Sequence, residues 1–179
     1  MASVARGRGT DDWFANLFGR AEPVIGPQAY KKTQGMFRVE KEELLSTANG
    51  KRFRIGHFET PTLNDLRSRA CSGKARRGRL VVRNVVGDAS MLHAAQGNQF
   101  ALFQVASQFN CLEFLEPSVT PEQGITGYAN DFTQGPACAV ACGPATVYRN
   151  YFVPVAGNRG QRAHCMIDNL KDVTLSLPP

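Results

Sequence analysis

Residues 97–155 decide the fold and function that we predict for this chain: GNQFALFQVASQFNCLEFLEPSVTPEQGITGYANDFTQGPACAVACGPATVYRNYFVPV. Two apolar runs, 101–107 and 147–155, favour strands, and a polar segment marked by Gly and Pro lies between them. In α/β proteins, polar side chains that follow a strand gather at the carboxyl edge of the sheet, where ligands bind. We therefore expect a binding site in this stretch. Its polar residues include Asn110, Glu113, Glu116, Glu122, Asp131, Thr133 and Gln134.

The overall composition indicates one globular domain. The chain has 179 residues, of which 42% are hydrophobic and 20% charged, so a packed core is expected. The five cysteines are an odd number and do not suggest a disulfide framework, so we expect reduced thiols and a cytoplasmic location. The N-terminus lacks the apolar segment of a secretory signal, and no apolar run is long enough to span a membrane. We expect a monomer.

Positive charge is concentrated in residues 67–79, RSRACSGKARRGR. The whole chain carries 21 Lys and Arg against 15 Asp and Glu, which gives a net charge of +6. Such a balance favours anionic partners, a class that includes phosphates, nucleotides and nucleic acid. A solvated basic loop is the alternative interpretation, and no aromatic RNA-binding signature accompanies the basic residues. A nucleic-acid partner at this segment remains an alternative to a small phosphorylated ligand.

Residues 1–35 are predicted to be an extension that precedes the main domain. Residues 1–10 are small, basic and rich in Gly, and we expect disorder there. An Asp N-cap predicts a short amphipathic helix in DDWFANLFGR, residues 11–20, which ends at Gly19. The domain itself would then comprise residues 36–179.

The domain is predicted to begin with antiparallel strands. Residues 36–41 and 51–58 alternate between apolar and polar side chains, and Asn49-Gly50 between them is a strong hairpin signal, so we predict an antiparallel β-ribbon over residues 36–58. A Thr N-cap and a Pro then predict a helix over residues 62–72, TLNDLRSRACS.

The rest of the chain alternates between strand-like and helix-like segments, which favours an α/β fold whose central strands are mostly parallel. We predict central strands at 79–86, 101–107 and 147–155, and helices at 89–95, 135–142 and 162–173.

Common nucleotide-binding and hydrolase motifs are absent from the sequence. There is no Walker loop, no G-x-G-x-x-G after a strand and no G-x-S-x-G element. Cys138 and Cys142 have the spacing of two zinc ligands on one helix, but two further ligands are missing nearby, so small packing residues are the preferred interpretation. Cys111 and His164 are the candidates for a nucleophile–base pair.

Two acidic residues are more informative. Glu122 and Asp131 lie nine residues apart in TPEQGITGYAND, a loop that Gly interrupts. A carboxylate in such a loop can orient water or bind ribose hydroxyls. The predicted helix start at Gln134-Gly135 exposes backbone N–H groups that suit a pyrophosphate. The alternative is that Asp131 only caps this helix.

Three motifs, taken in order, resemble those of macrodomains. VVGDAS, at 85–90, resembles the G-D-[IV]-[TS] element that closes the first core strand of that family. LFQVASQFN, at 102–110, occupies the place of the strand that ends in N-A-A-N. GITGYANDFTQGPACAVACG, at 124–143, is similar to the Gly-rich loop that enters a helix. The chain is more similar still to a diverged branch of macrodomain ADP-ribosyl hydrolases, which includes bacterial effectors that remove ADP-ribose from arginine.

The resemblance implies a macrodomain-like three-layer sandwich with a mixed central sheet and an added N-terminal β-hairpin. The implied activity is removal of ADP-ribose from modified protein side chains, with arginine as a candidate attachment site. The alternative is a module that binds ADP-ribose without turnover. No metal and no cofactor are implied. Macrodomains continue beyond the helix predicted at 162–173 with a strand and a second phosphate loop, so the resemblance implies a chain that is truncated, a domain fragment or a rearranged version of the fold.

The resemblance also implies roles for individual residues. Asp88 would hold the adenine amino group, Asn110 the distal ribose, and Phe109 would line the adenine or ribose wall. The G-G-G loop of better-known branches is absent, which shifts the catalytic role to the acids Asp131 and Glu122. The full set of implied ligand-binding residues is Asp88, Ala89, Asn98, Gln108, Phe109, Asn110, Gly124, Ile125, Thr126, Thr133, Gln134 and Gly135.

Overall fold

The computed structural model describes residues 12–23, 26–71, 78–87, 89–102, 110–113, 118–131 and 133–170. These residues form a mixture of helices and small antiparallel sheets. The α-helices are α1 (Trp13–Phe18), α2 (Pro27–Gly35), α3 (Leu63–Cys71), α4 (Ala89–Ala94), α5 (Gln134–Ala141) and α6 (Gly143–Tyr151). The strands are β1 (Phe37–Glu40), β2 (Glu43–Ser46), β3 (Arg52–Arg54), β4 (Pro154–Val155) and β5 (Asn158–Arg159). Short 3-10 helices cover Gln96–Asn98, Pro121–Gln123 and Thr126–Asn130.

The first helix forms where its cap predicts it. The Asp12 side chain accepts a hydrogen bond from a backbone N–H of the first turn at 3.0 Å, and the helix ends at Gly19. Phe14 and Phe18 lie four residues apart, so they share one face, and both are fully buried. The short helix predicted here is confirmed. Residues 1–10, for which disorder was expected, lie outside the described residues.

The N-terminal β-ribbon has three strands rather than two. β1 pairs with β2 and β2 pairs with β3, in both cases antiparallel. Asn49-Gly50 lies in the connection between β2 and β3, where the Asn49 side chain accepts a hydrogen bond from the Lys51 N–H at 3.0 Å. The predicted hairpin is confirmed. Sequence alternation does not predict β2, because its apolar residues Leu44 and Leu45 are adjacent rather than alternating.

The hydrophobic core joins α1 and the ribbon to the C-terminal helices. Phe18 packs edge-to-face against Phe14 and Phe37, with ring centroids 4.8 Å and 5.0 Å apart. Tyr30 of α2 packs against Tyr151 of α6 at 4.5 Å. The core thus includes side chains from both sides of position 35, and the division into residues 1–35 and 36–179 stays a prediction. The core residues are Phe14, Phe18, Tyr30, Met36, Phe37, Leu44, Ile125, Tyr128, Ala139, Val147, Tyr151 and Phe152.

The strand predicted at 147–155 is wrong for most of its length, because Gly143–Tyr151 is helix α6 and only Pro154–Val155 is a strand. Pro144 lies in the first helical turn, where its fixed φ favours a helix start. Val147 and Tyr151 are buried one turn apart, which is a helical rather than an alternating pattern. The apolar run is long enough for a strand or a helix, and the preceding Pro144 favours the helix.

The buried strand predicted at 79–86 is also wrong. These residues form neither helix nor strand, and Leu80 and Val82 are 86% and 80% exposed. A β-branched sequence favours a strand only where a second backbone pairs with it, and the described residues place none beside this segment. Of the strand predicted at 101–107, only residues 101–102 are described, and the rest lies outside the described residues.

The helix predicted at 162–173 is wrong over its described part, residues 162–170, which consists of turns and one isolated bridge between Arg162 and Cys165. The Gln161 side chain explains the irregular backbone. It is fully buried, donates to the carbonyl oxygens of Asn110 and Arg149 at 3.0 Å and 3.1 Å, and accepts from the Ile167 N–H at 3.0 Å. Within 162–170, the Ile167 N–H is thus bound by Gln161, and Arg162 and Cys165 bond to each other, so these groups do not make helical hydrogen bonds.

The remaining helices follow their local signals, and all three predictions are confirmed. Thr62 and Asp65 exchange hydrogen bonds at the start of α3, with the Asp65 N–H donating to the Thr62 hydroxyl at 3.1 Å. α4 follows Gly87, and α5 begins two residues before Pro136. The fold of the described residues is thus a mixture of short helices and antiparallel strands packed around one aromatic cluster.

Candidate functional site

The start of helix α5 is the feature around which the candidate site is built. Asp131 accepts a hydrogen bond from the Thr133 N–H at 2.8 Å, just before the first helical residue. Hydrogen bonds from the Thr133 side chain and backbone hold the pKa of Asp131 below its ordinary value. Asp131 is therefore a carboxylate at neutral pH. Its bond goes to the N–H of Thr133, the residue at the N-cap position, so Asp131 orders the turn into the helix without capping the helix itself.

Glu113 packs against the same helix start. Its side chain is only 9% exposed, and its carboxylate lies so close to Gly135 that a Cβ at Gly135 would collide with Oε2. Gly135 follows the first residue of α5, where backbone N–H groups have no partner within the helix. A carboxylate at this position is stabilised by the positive end of the helix dipole. Glu113 thus places a buried carboxyl group where a phosphate was expected.

Tyr128 connects Glu113 to the 3-10 helix Thr126–Asn130. Its hydroxyl oxygen accepts a hydrogen bond from the Glu113 N–H at 3.1 Å. Burial raises the pKa of Tyr128, the charge of Glu113 raises it further, and Arg149 opposes them. The phenol is therefore protonated at neutral pH. The Arg149 Nη2 donates to the Thr146 hydroxyl at 3.0 Å, and its buried Nε has no hydrogen-bond partner among the described residues.

His93 and Cys138 form a contact across α4 and α5. The His93 Nε2 lies 2.9 Å from the Cys138 Sγ, and Cys138 is 6% exposed. Burial raises the pKa of the Cys138 thiol, and the nearby groups of Cys142 and Glu113 raise it further. Sequence reasoning missed this pair, although Cys138 lies within the segment 124–143 that resembles the family and His93 follows VVGDAS by three residues.

The nucleophile–base pair weighed from sequence does not form. The Cys111 Sγ lies 3.2 Å from the Asn169 side-chain nitrogen, whereas His164 is exposed on the turn between Arg162 and Cys165. Among the described residues, no contact joins the Cys111 thiol to the His164 imidazole.

Asn110 is buried and held by the protein itself. Its side-chain oxygen accepts from the Leu112 N–H at 3.1 Å, and its side-chain nitrogen lies 3.5 Å from the Met166 sulfur. Its carbonyl oxygen accepts from the Gln161 side chain at 3.0 Å. These contacts fix the turn from which Glu113 reaches α5. They give Asn110 a structural role. The predicted contact of Asn110 with a ribose stays a prediction.

Residues 124–126, which the resemblance implies as ligand-binding, surround the carboxylate of Glu22. The N–H groups of Ile125 and Thr126 donate to Glu22 at 3.0 Å and 2.8 Å. The Thr126 and Tyr151 hydroxyls donate to the same carboxylate, each at 2.5 Å. Gly124 has φ +85°, and a Cβ there would lie 2.6 Å from Glu22 Oε2. The donors that the sequence offers to a phosphate therefore bind a carboxylate of the chain.

Glu122 is placed differently from Asp131. Its carboxylate accepts from the Ala163 N–H at 3.1 Å, on the turn that follows Gln161. The guanidinium of Arg162 lies 3.4 Å from the Tyr30 ring centroid. Burial raises the pKa of Tyr30, the charge of Arg162 lowers it, and Glu122 raises it. No hydrogen bond within the described part of the chain joins Glu122 to Asp131, so the two predicted catalytic acids have separate partners.

The other predicted ligand-binding residues are only partly described. The Asn98 side chain donates to the Leu92 carbonyl at 2.9 Å, which ties down the end of α4. Thr133 is exposed beside Asp131. Asp88, Gln108 and Phe109 lie outside the described residues, as do the side chains of Ala89 and Gln134.

Over the described ranges, no group of three or more His, Cys, Asp or Glu side chains is arranged to hold a metal ion. No helix in the described part of the chain is long and apolar enough to cross a membrane. Comparison with protein-family models, with curated proteins and with solved structures finds no match for this chain. Function is therefore inferred from the motifs and the geometry of the α5 start.

Proposed function

We propose that this chain is an ADP-ribosyl hydrolase of a macrodomain-like type, which removes ADP-ribose from modified protein side chains. Arginine is the proposed attachment site, and the macrodomain-like three-layer sandwich is the proposed fold. The observation that carries the proposal is the buried carboxyl group of Glu113 against the start of α5, a helix that belongs to the segment 124–143 whose sequence resembles the family.

The chemistry of the reaction supports this choice of site. Cleavage of an ADP-ribosyl-arginine bond releases a guanidine, which leaves more readily when it is protonated, and it requires a positioned water molecule. Asp131, a carboxylate beside the exposed Thr133, is suited to orient water or a ribose hydroxyl. Glu113 supplies a second, buried carboxyl group close to the same helix start. In this proposal Asp131 remains the primary catalytic residue and Glu122 the weaker candidate, since Glu122 holds the Ala163 backbone.

Arg149, whose charge acts on Tyr128, offers a hydrogen-bond donor for a phosphate. The buried Arg149 Nε has no hydrogen-bond partner among the described residues, and its charge acts on Tyr128, which contacts Glu113. A buried donor without an acceptor is costly unless water or a ligand binds it. A pyrophosphate oxygen is an acceptor of the required charge.

The alternative is a binding module that recognises ADP-ribose without turnover. The turn geometry of Asp131 favours it, because a carboxylate engaged by the Thr133 backbone can serve structure alone. Both functions use the same site and ligand, so one pair of measurements separates them.

The test combines calorimetry with ADP-ribose and turnover of an ADP-ribosyl-arginine peptide. The hydrolase proposal predicts binding, and turnover that falls at least about a hundredfold in Asp131→Ala, as expected for loss of acid–base assistance. Asp168→Ala is the matched control, because Asp168 accepts from the Leu170 N–H at 2.9 Å in the same two-residue turn geometry. Binding without turnover establishes the module. Absence of binding refutes both functions.

A further inference from the structure

The contact between His93 and Cys138 has no role in the proposed hydrolysis. It joins the last turn of α4 to the middle of α5, and its 2.9 Å separation is hydrogen-bond distance for a thiol and an imidazole. The Cys138 side chain is 6% exposed and His93 is half-buried, so few water molecules compete for the contact.

The surroundings of Cys138 determine where its proton lies. Among the described residues, the titratable groups that contact Cys138 or act on it through their charge are His93 from α4, Cys142 one turn later on α5, and Glu113 from the preceding loop. Burial and the latter two groups raise the pKa of the thiol, so Cys138 carries its proton at neutral pH. The Sγ–H can donate to Nε2 when the imidazole carries its proton on Nδ1, which is the arrangement that a general base requires.

We propose that Cys138 is a nucleophilic thiol site, with His93 as its general base, that reacts with small uncharged carbon electrophiles. In the reaction, a bond forms between Sγ and the electrophilic carbon, and the bond from that carbon to its leaving group breaks. The leaving group departs with the bonding electron pair, and the thiol proton passes to Nε2 of His93. No oxidant, reductant or metal is needed for this balance.

The selectivity for uncharged reagents follows from the same geometry. A buried site solvates ions poorly, and the carboxylate of Glu113 acts on Cys138 through its negative charge. An anionic electrophile is therefore disfavoured relative to a neutral one of the same size. Cys142, which is exposed one turn away, lacks this restriction and serves as an internal control.

The experiment compares iodoacetamide, which is neutral, with iodoacetate, which is an anion of similar size, on the full native chain. Alkylation of Cys138 and Cys142 is followed by peptide mass spectrometry over time. We expect the iodoacetamide-to-iodoacetate rate ratio to be at least about tenfold larger at Cys138 than at Cys142. Equal ratios at the two cysteines overturn the selectivity, and this comparison requires no variant.

The role of His93 is tested with His93→Gln, which retains a polar side chain without a basic imidazole. We expect alkylation of Cys138 to slow by at least about tenfold while that of Cys142 changes less than about twofold. An unchanged rate at Cys138 overturns the proposal. So does a wild-type rate equal to the unfolding rate measured by hydrogen exchange, because Cys138 would then react only in the unfolded chain. ADP-ribose binding is not involved, so failure here is distinguishable from failure of the proposed hydrolase.

Discussion

Replacing Gly135 with alanine places a methyl group against the Glu113 carboxylate. The Cβ would collide with Oε2, and Glu113 has little room to move because it is only 9% exposed. Overpacking of this kind costs about 1–3 kcal/mol. Alanine in place of glycine within a helix returns about 1 kcal/mol. We therefore expect Gly135→Ala to lower the free energy of unfolding by about 1 kcal/mol, measured by urea denaturation, with Tm lower by about 2–4 °C.

A double-mutant cycle tests the cause of that loss. In a Glu113→Ala background the collision is absent, so Gly135→Ala should no longer destabilise the chain and should show the helix-propensity gain instead. Gly127→Ala is the matched control, because a Cβ at Gly127 meets no atom within 4 Å, and its effect should stay within about 0.5 kcal/mol. Equal costs of Gly135→Ala in both backgrounds would refute the contact between Gly135 and Glu113.

Three further predictions concern the neighbouring carboxylates and the basic segment. Glu22→Ala leaves the half-buried backbone N–H groups of Ile125 and Thr126 without this acceptor and should cost about 2–4 kcal/mol in urea denaturation. Glu42→Ala, at an exposed ion pair, should cost less than about 0.5 kcal/mol, and similar costs of the two substitutions would contradict the structural role of Glu22. The folded pKa of Asp131 is depressed, so its contribution to stability is present above its unfolded pKa, near 3.8, and is lost as pH falls through the lower folded value. Carbon NMR titration of the folded chain should find that lower pKa. Asp131→Asn should weaken the dependence of the unfolding free energy on acid pH. If residues 67–79 bind nucleic acid, affinity for a DNA duplex should fall steeply with salt concentration. Replacing the arginines of this segment with glutamine should reduce that salt dependence without changing ADP-ribose binding. An unchanged salt dependence would exclude the segment as the DNA-binding site.

Local signals determined much of the secondary structure. The cap at Asp12, the Asn49-Gly50 turn and the Thr62–Asp65 pair each act between residues at most three positions apart, and the structure contains each of these elements. Such signals survive in any tertiary context because both partners are supplied by the same short segment. The same holds for α5, whose early Pro136 favours a helix start.

Apolar runs without such signals were ambiguous. The segment 147–155 has enough apolar residues for a buried strand or a helix. The packing of Tyr151 against Tyr30 and of Phe152 against Phe37 favoured the helix α6 and the turn that follows it. The segment 79–86 has strand propensity but no backbone partner among the described residues. Strand formation depends on a second segment, so propensity alone did not determine it.

The candidate site shows the same division. The sequence by itself predicted a binding site within residues 97–155 and placed Asp131 just before a helix start, because the motif order and the turn are local properties. Only the tertiary structure brought Glu113 to Gly135, His93 to Cys138 and Glu22 to residues 124–126. These partners lie 22, 45 and about 100 positions apart, and their meeting depends on packing of the whole core rather than on any local pattern.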